Sequence, residues 1–99
     1  MRKQCHNPYM PLWEHVPDGE PHVFGDRLYV YGSHDLENGN EFCEQDYVCW
    51  SAPVTDLSDW RCDGVIYKKE QDPYNQDALP LYAPDVVKGP DGRYYLYYC

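Results

Sequence analysis

The sequence predicts an all-β fold, a β-propeller of which this chain supplies about one and a half blades. Three observations lead there. Hydrophobicity alternates with a period of two along most of the chain, and no segment sustains the 3.6-residue period of a helix. Aromatic residues make up 16%, with 11 Tyr, 3 Trp and 2 Phe, and tyrosine-rich runs suit half-buried strands. The chain also repeats itself: "EPHVFGDRLYVYGS" at 20–33 is echoed by "APDVVKGPDGRYYLYYC" at 83–99. Pro21-x-Val23 matches Pro84-x-Val86 at an offset of 63, and Arg27 matches Arg93 at an offset of 66. The three extra residues fall in the turn "KGPDG". Each copy reads as Pro-x-Val, a Gly/Asp turn, Arg and a Tyr-rich strand. Self-similarity at such a period, with several short strands per unit, marks propeller blades.

The elements follow in order. A first strand near 21–24 opens on Glu20-Pro21; a proline there forfeits no ladder donor and holds its predecessor extended. Gly25-Asp26 turns the chain into "RLYVYGS", a strand near 27–32. "DYVCWSA" at 46–52 is β-branched and aromatic and stops at Pro53. "TDLSDW" at 55–60 is a turn whose Asp and Ser side chains bond to nearby backbone. "CDGVIYKK" at 62–69 supplies a fourth strand near 62–67 and closes a first blade of about 20–69. The polar, proline-punctuated "EQDPYNQDALP" at 70–80 is a loop. Strands near 84–88 and 93–98 begin a second blade at about 82–99. A propeller needs about four to eight blades to close, so the expectation is an N-terminal fragment of a longer protein.

The net charge is −9, from 17 acids against 8 bases. That balance repels phosphate backbones and anionic bilayers, so neither nucleic acid nor membrane is an expected partner. Sugars remain open. No apolar run approaches the roughly 20 residues of a membrane helix. The start, "MRKQCHNPYMP", has basic residues but no apolar core of a signal peptide, which favours the cytoplasm. An incomplete N-terminus would leave secretion open. The five cysteines (Cys5, Cys43, Cys49, Cys62, Cys99) are odd in number and form no CxxC pair. Reduced thiols are expected, with no zinc site and no cofactor. His6 and His15 have no partner at metal spacing.

Glu20 raises the functional question, because an acid placed against a proline at a strand mouth gains nothing from packing. The innermost strand of a blade lines the central channel, and an acid at its mouth faces the axial pocket. Asp85, after Pro84, is placed alike in the second copy. The frame Asn7-Pro8, Glu20-Pro21, Gly25-Asp26, "YVYGS" (29–33), "WSAPVTDLSDW" (50–60) and "YAPDV" (82–86) resembles the N-terminal part of glycoside hydrolase family 43. The resemblance covers nearly all of residues 7–98, and its motifs are loose singly but specific in combination and order.

That resemblance implies a five-bladed propeller that hydrolyses O-glycosyl bonds of arabinosides, xylosides or galactosides with inversion, in polysaccharide degradation and carbohydrate metabolism. It puts Glu20 at the place of the family's general base, which is an Asp in Asp-Pro. It matches Tyr82-Ala83-Pro84 to the family's Trp-Ala-Pro, which lines the sugar pocket, and sets Asp85 beside the substrate. The family's general-acid Glu and pKa-tuning Asp belong to later blades, beyond residue 99, so the fragment alone is expected to be inactive. Glu for Asp is a departure that moves the carboxylate outward by one methylene. Asp18, two residues upstream, is the alternative base. Phe24 and Trp13 are candidates for stacking on a sugar, and His22 and His34 for reaching the pocket. Trp50 and Trp60 read as blade core. The substrate class is an oligosaccharide or glycoside, and the alternative function is a non-catalytic carbohydrate-binding propeller fragment.

Overall fold

The computed structural model describes residue 10 and residues 13–40, 43–77 and 79–99. Cys5, His6 and the Asn7-Pro8 pair lie outside the described residues. Six strands form: β1 Glu20–Phe24, β2 Arg27–His34, β3 Gln45–Pro53, β4 Arg61–Tyr67, β5 Asp85–Lys88 and β6 Tyr94–Tyr97, with one 3-10 turn at Lys69–Gln71. They make two antiparallel sheets, one four-stranded in the order β1-β2-β3-β4 and one two-stranded of β5 and β6. An all-β chain is what the alternation predicted, and the strands fall within a few residues of the expected ones.

The differences have local causes. β2 runs on to His34 instead of stopping at 32, because a register shift between Gly32 and His34 lets it keep pairing with Gln45. β3 includes Pro53, which sits opposite Arg27 at the very end of the ladder. There a missing N–H costs little. The β1–β2 turn is the two residues Gly25-Asp26, with Gly25 at φ +65, a conformation that glycine adopts without strain.

Register decides which side chains share a face. Glu20 lies opposite Tyr31, His22 opposite Tyr29, and these in turn oppose Cys49 and Ser51. Directly paired residues point the same way, so Glu20, His22, Phe24, Tyr29 and Tyr31 line one face of the first sheet. The second sheet lies against that face. Tyr94 meets Phe24 edge-on at 5.0 Å, and Tyr98 meets Tyr47 and Tyr67 at 6.1 and 5.0 Å. With the second sheet on this face and the approach to β1 on the other, β3 is buried continuously from Tyr47 to Ala52.

The opposite face carries Val30, Val48, Trp50 and Ala52, all buried. It is covered by the segment that leads into β1. A Cβ built on Gly32 would lie 2.1 Å from Cγ1 of Val16 and 3.3 Å from the Pro17 carbonyl, so glycine is what lets the segment lie flat on the sheet. Gly32→Ala is therefore expected to destabilise the chain by about 1–3 kcal/mol. Adding Val16→Ala should recover part of the loss, because it removes the nearer clash. Urea unfolding of the parent, both single variants and the double variant measures this; strictly additive effects would refute the contact.

The link to β5 docks by its backbone. The Ala83 amide donates to Oγ of buried Ser33 at 2.9 Å, and the Tyr47 hydroxyl donates to the Tyr82 carbonyl at 2.6 Å. Leu81, Pro84 and Val86 are buried beside them. Of the cysteines, Cys43 and Cys49 are buried free thiols and Cys62 and Cys99 exposed ones. Burial, with Asp63 next to it, pushes the Cys49 thiol up to about 12. Among the described residues no helix is long and apolar enough to cross a membrane.

Candidate active site

The internal repeat becomes a contact in three dimensions. His22 and Asp85 occupy the same position in their respective copies, 63 residues apart, and His22 Nε2 meets Asp85 Oδ1 at 2.6 Å. The carboxylate accepts and the imidazole donates. The Val86 amide adds a second hydrogen bond to Oδ1 at 2.8 Å. The His22 hydrogen bond above all holds the Asp85 carboxyl below the usual carboxylate range, with the Val86 amide helping against a slight desolvation.

Glu20 joins this pair. One ligand-capable atom from each of Glu20, His22 and Asp85 lies within 4.8 Å of the others, with both acids exposed and the histidine half-buried. The two hairpins thus bring an acid from the mouth of β1 and an acid from the start of β5 to one spot, together with the His22 imidazole. Phe24 fixes the imidazole plane: the two rings stack at 5.6 Å with 14° between them. The aromatic row continues from Phe24 to Tyr29 at 6.1 Å and from Tyr29 to Tyr31 at 6.1 Å. A solvent-facing carboxylate beside an aromatic ladder has the chemistry to take a proton and to pack against the apolar face of a sugar.

Of the residues the sequence singled out, the structure brings Glu20, His22 and Asp85 together, with Phe24 stacked on His22. Tyr82 contributes through its backbone, while its side chain is 42% exposed. Asp18 sits at φ +56 in the bend before β1, as a turn-former does.

His34 belongs to a second cluster. Its Nε2 meets Glu14 Oε1 at 2.5 Å, the Trp50 indole N–H donates to Glu14 Oε2 at 2.8 Å, and the His15 amide donates to Oε1 at 2.9 Å. The Glu14 side chain is only 5% exposed. Burial pushes its carboxyl up, and the His15 amide, His34 and Trp50 together outweigh that, leaving it below the usual range. Trp13 lies across Trp50 with ring centroids 5.7 Å apart. Sequence reasoning passed over Glu14. The available signal was an isolated acid between Trp13 and His15 in an otherwise proline-punctuated stretch.

No family model matches the chain, and neither does any solved structure. Curated proteins do. A protein of Thermoclostridium stercorarium named xylosidase/arabinosidase is 67% identical over 99 residues, spanning 99% of this chain and 21% of that protein. Xylosidase/arabinosidase 43A of Humicola insolens is 35% identical, over 89% of this chain and 29% of its own length. A xylosidase/arabinosidase of Bacteroides ovatus is 32% identical, over 91% and 29%. The chain spans between a fifth and a third of the length of these relatives. It is homologous to one part of three proteins named xylosidase/arabinosidase.

Proposed function

We propose that the chain is the N-terminal part, about one and a half blades, of an inverting glycoside hydrolase of family 43, a five-bladed propeller that cleaves xylosides or arabinosides. The observation that carries this reading is the convergence of Glu20 with the repeat-related pair His22 and Asp85 at the mouth of β1. The names of the relatives, glycosidases throughout, supply the substrate class.

Glu20 acts as general base. It takes a proton from a water molecule whose oxygen attacks the anomeric carbon, while the bond to the leaving oxygen breaks and an acid from a later blade protonates that oxygen. Inversion places the two carboxyl groups about 6.5–9.5 Å apart, so that the water fits between base and sugar. The extra methylene of Glu over Asp fits this geometry if the β1 backbone sits correspondingly further back. Asp85 holds His22, and His22 with Phe24 walls the side of the sugar site nearest the base.

The complete protein, supplied with an aryl β-xyloside and an aryl α-arabinofuranoside, is expected to release the anomer opposite to that of the substrate. Proton NMR in the first minutes, before mutarotation, reads it. A first-formed anomer of retained configuration, or no sugar released from either glycoside, would overturn the proposal.

A further inference from the structure

Glu20, His22 and Asp85 have a second use that does not depend on hydrolysis. We infer that they form a binding site for a divalent first-row transition ion. Their ligand atoms lie within 4.8 Å of one another. Around an ion with bonds of about 2.0–2.2 Å, ligands stand roughly 3 Å apart when adjacent and ~4.4 Å when opposite. The ion takes the place of the proton that His22 Nε2 shares with Asp85, and that proton is released to solvent on binding. The donors come from both sheets: β1 gives Glu20 and His22, and β5 gives Asp85.

Two further features suit an ion. Phe24 is stacked on His22, whose imidazole already meets Asp85, so two of the three ligands are ordered before an ion arrives. Two carboxylates and an imidazole carry a formal charge near −2, which a dication neutralises in a chain whose net charge is −9. The donor set also selects. One imidazole with two carboxylates suits ions from Mn2+ to Zn2+, whereas Ca2+ and Mg2+ favour oxygen alone. The sequence offered each of the three as a pocket candidate but not their meeting, because the third ligand lies 63 residues beyond the second.

An ion held there would take the Glu20 lone pairs that accept the proton from water, so these metals would inhibit the hydrolysis proposed above. The binding itself is tested without it. Mn2+ is the probe, since it binds thiolates weakly and the exposed Cys62 and Cys99 then compete little. Loss of the free Mn2+ EPR signal on titration with the chain is expected to give a tight site at one ion per chain. His22→Gln and Asp85→Asn should each weaken it at least tenfold, with circular dichroism unchanged, and equimolar Ca2+ should not displace the ion. Affinity unaltered in both variants would overturn the inference. Should the variants misfold, the parent decides: Mn2+ is expected to broaden the His22 ring signals before those of His34. Broadening of other histidines with His22 untouched would refute the site. An inactive but metal-binding protein would refute hydrolysis alone, and an active protein blind to Mn2+ the metal site alone.

Discussion

Glu20→Gln is expected to lower the turnover of the complete protein by about 10²–10⁴-fold, the contribution of a positioned general base. The amide keeps the size of the side chain and its capacity to accept a hydrogen bond, so a glycoside still finds its place and KM should change little. What the amide cannot do is hold the proton that leaves the attacking water. The position makes the test clean. Glu20 is exposed at the first residue of β1 and takes no part in the buried core, so the unfolding midpoint should stay within error of the parent. A fall in turnover with unchanged stability and binding is the signature of lost proton transfer. Near-normal turnover would remove Glu20 from the chemistry.

Much of the fold was legible because alternation and turn chemistry are local. "RLYVYGS" announces β2 by its own pattern, and Gly25-Asp26 announces the hairpin. The repeat was legible as well, and from it the pairing of equivalent positions: Pro21 with Pro84, hence His22 with Asp85. The contact between those two side chains was not, since a repeat gives register and leaves open whether the copies lie side by side. His34 and Glu14 show the same limit from another side. Each is unremarkable in its own neighbourhood, and what joins them is the path of residues 13–19 across the sheet. The partners of Glu14 lie 20 and 36 residues away, at the end of β2 and in the middle of β3. No window of sequence contains all three.

That cluster carries the largest expected effect on stability. Glu14→Ala should destabilise the chain by roughly 3 kcal/mol at pH 7, since it strips a buried carboxylate from two side-chain donors and leaves the Trp50 indole N–H and His34 facing an apolar gap. For a domain of this size, that corresponds to a fall in Tm of about 12–24 °C. Glu14→Gln should cost less, because the amide oxygen still satisfies one donor while its NH2 confronts the other. The pH dependence follows from the lowered carboxyl. A group whose folded pKa lies below its unfolded value contributes its stability in full above the unfolded value, about 4.3 for Glu, and loses it as pH falls through the folded one. The gap between parent and Glu14→Ala should therefore narrow as pH falls below about 4. Urea midpoints taken by Trp fluorescence at pH 7, 5 and 3 measure it. A gap that stays the same at pH 3 would mean that the loss comes from packing alone, and that the charge of Glu14 does not hold the covering segment on the sheet. The consequence reaches the candidate site. Residues 13–19 end at the first residue of β1, so whatever loosens their grip on Trp50 and Gly32 also loosens the placement of Glu20.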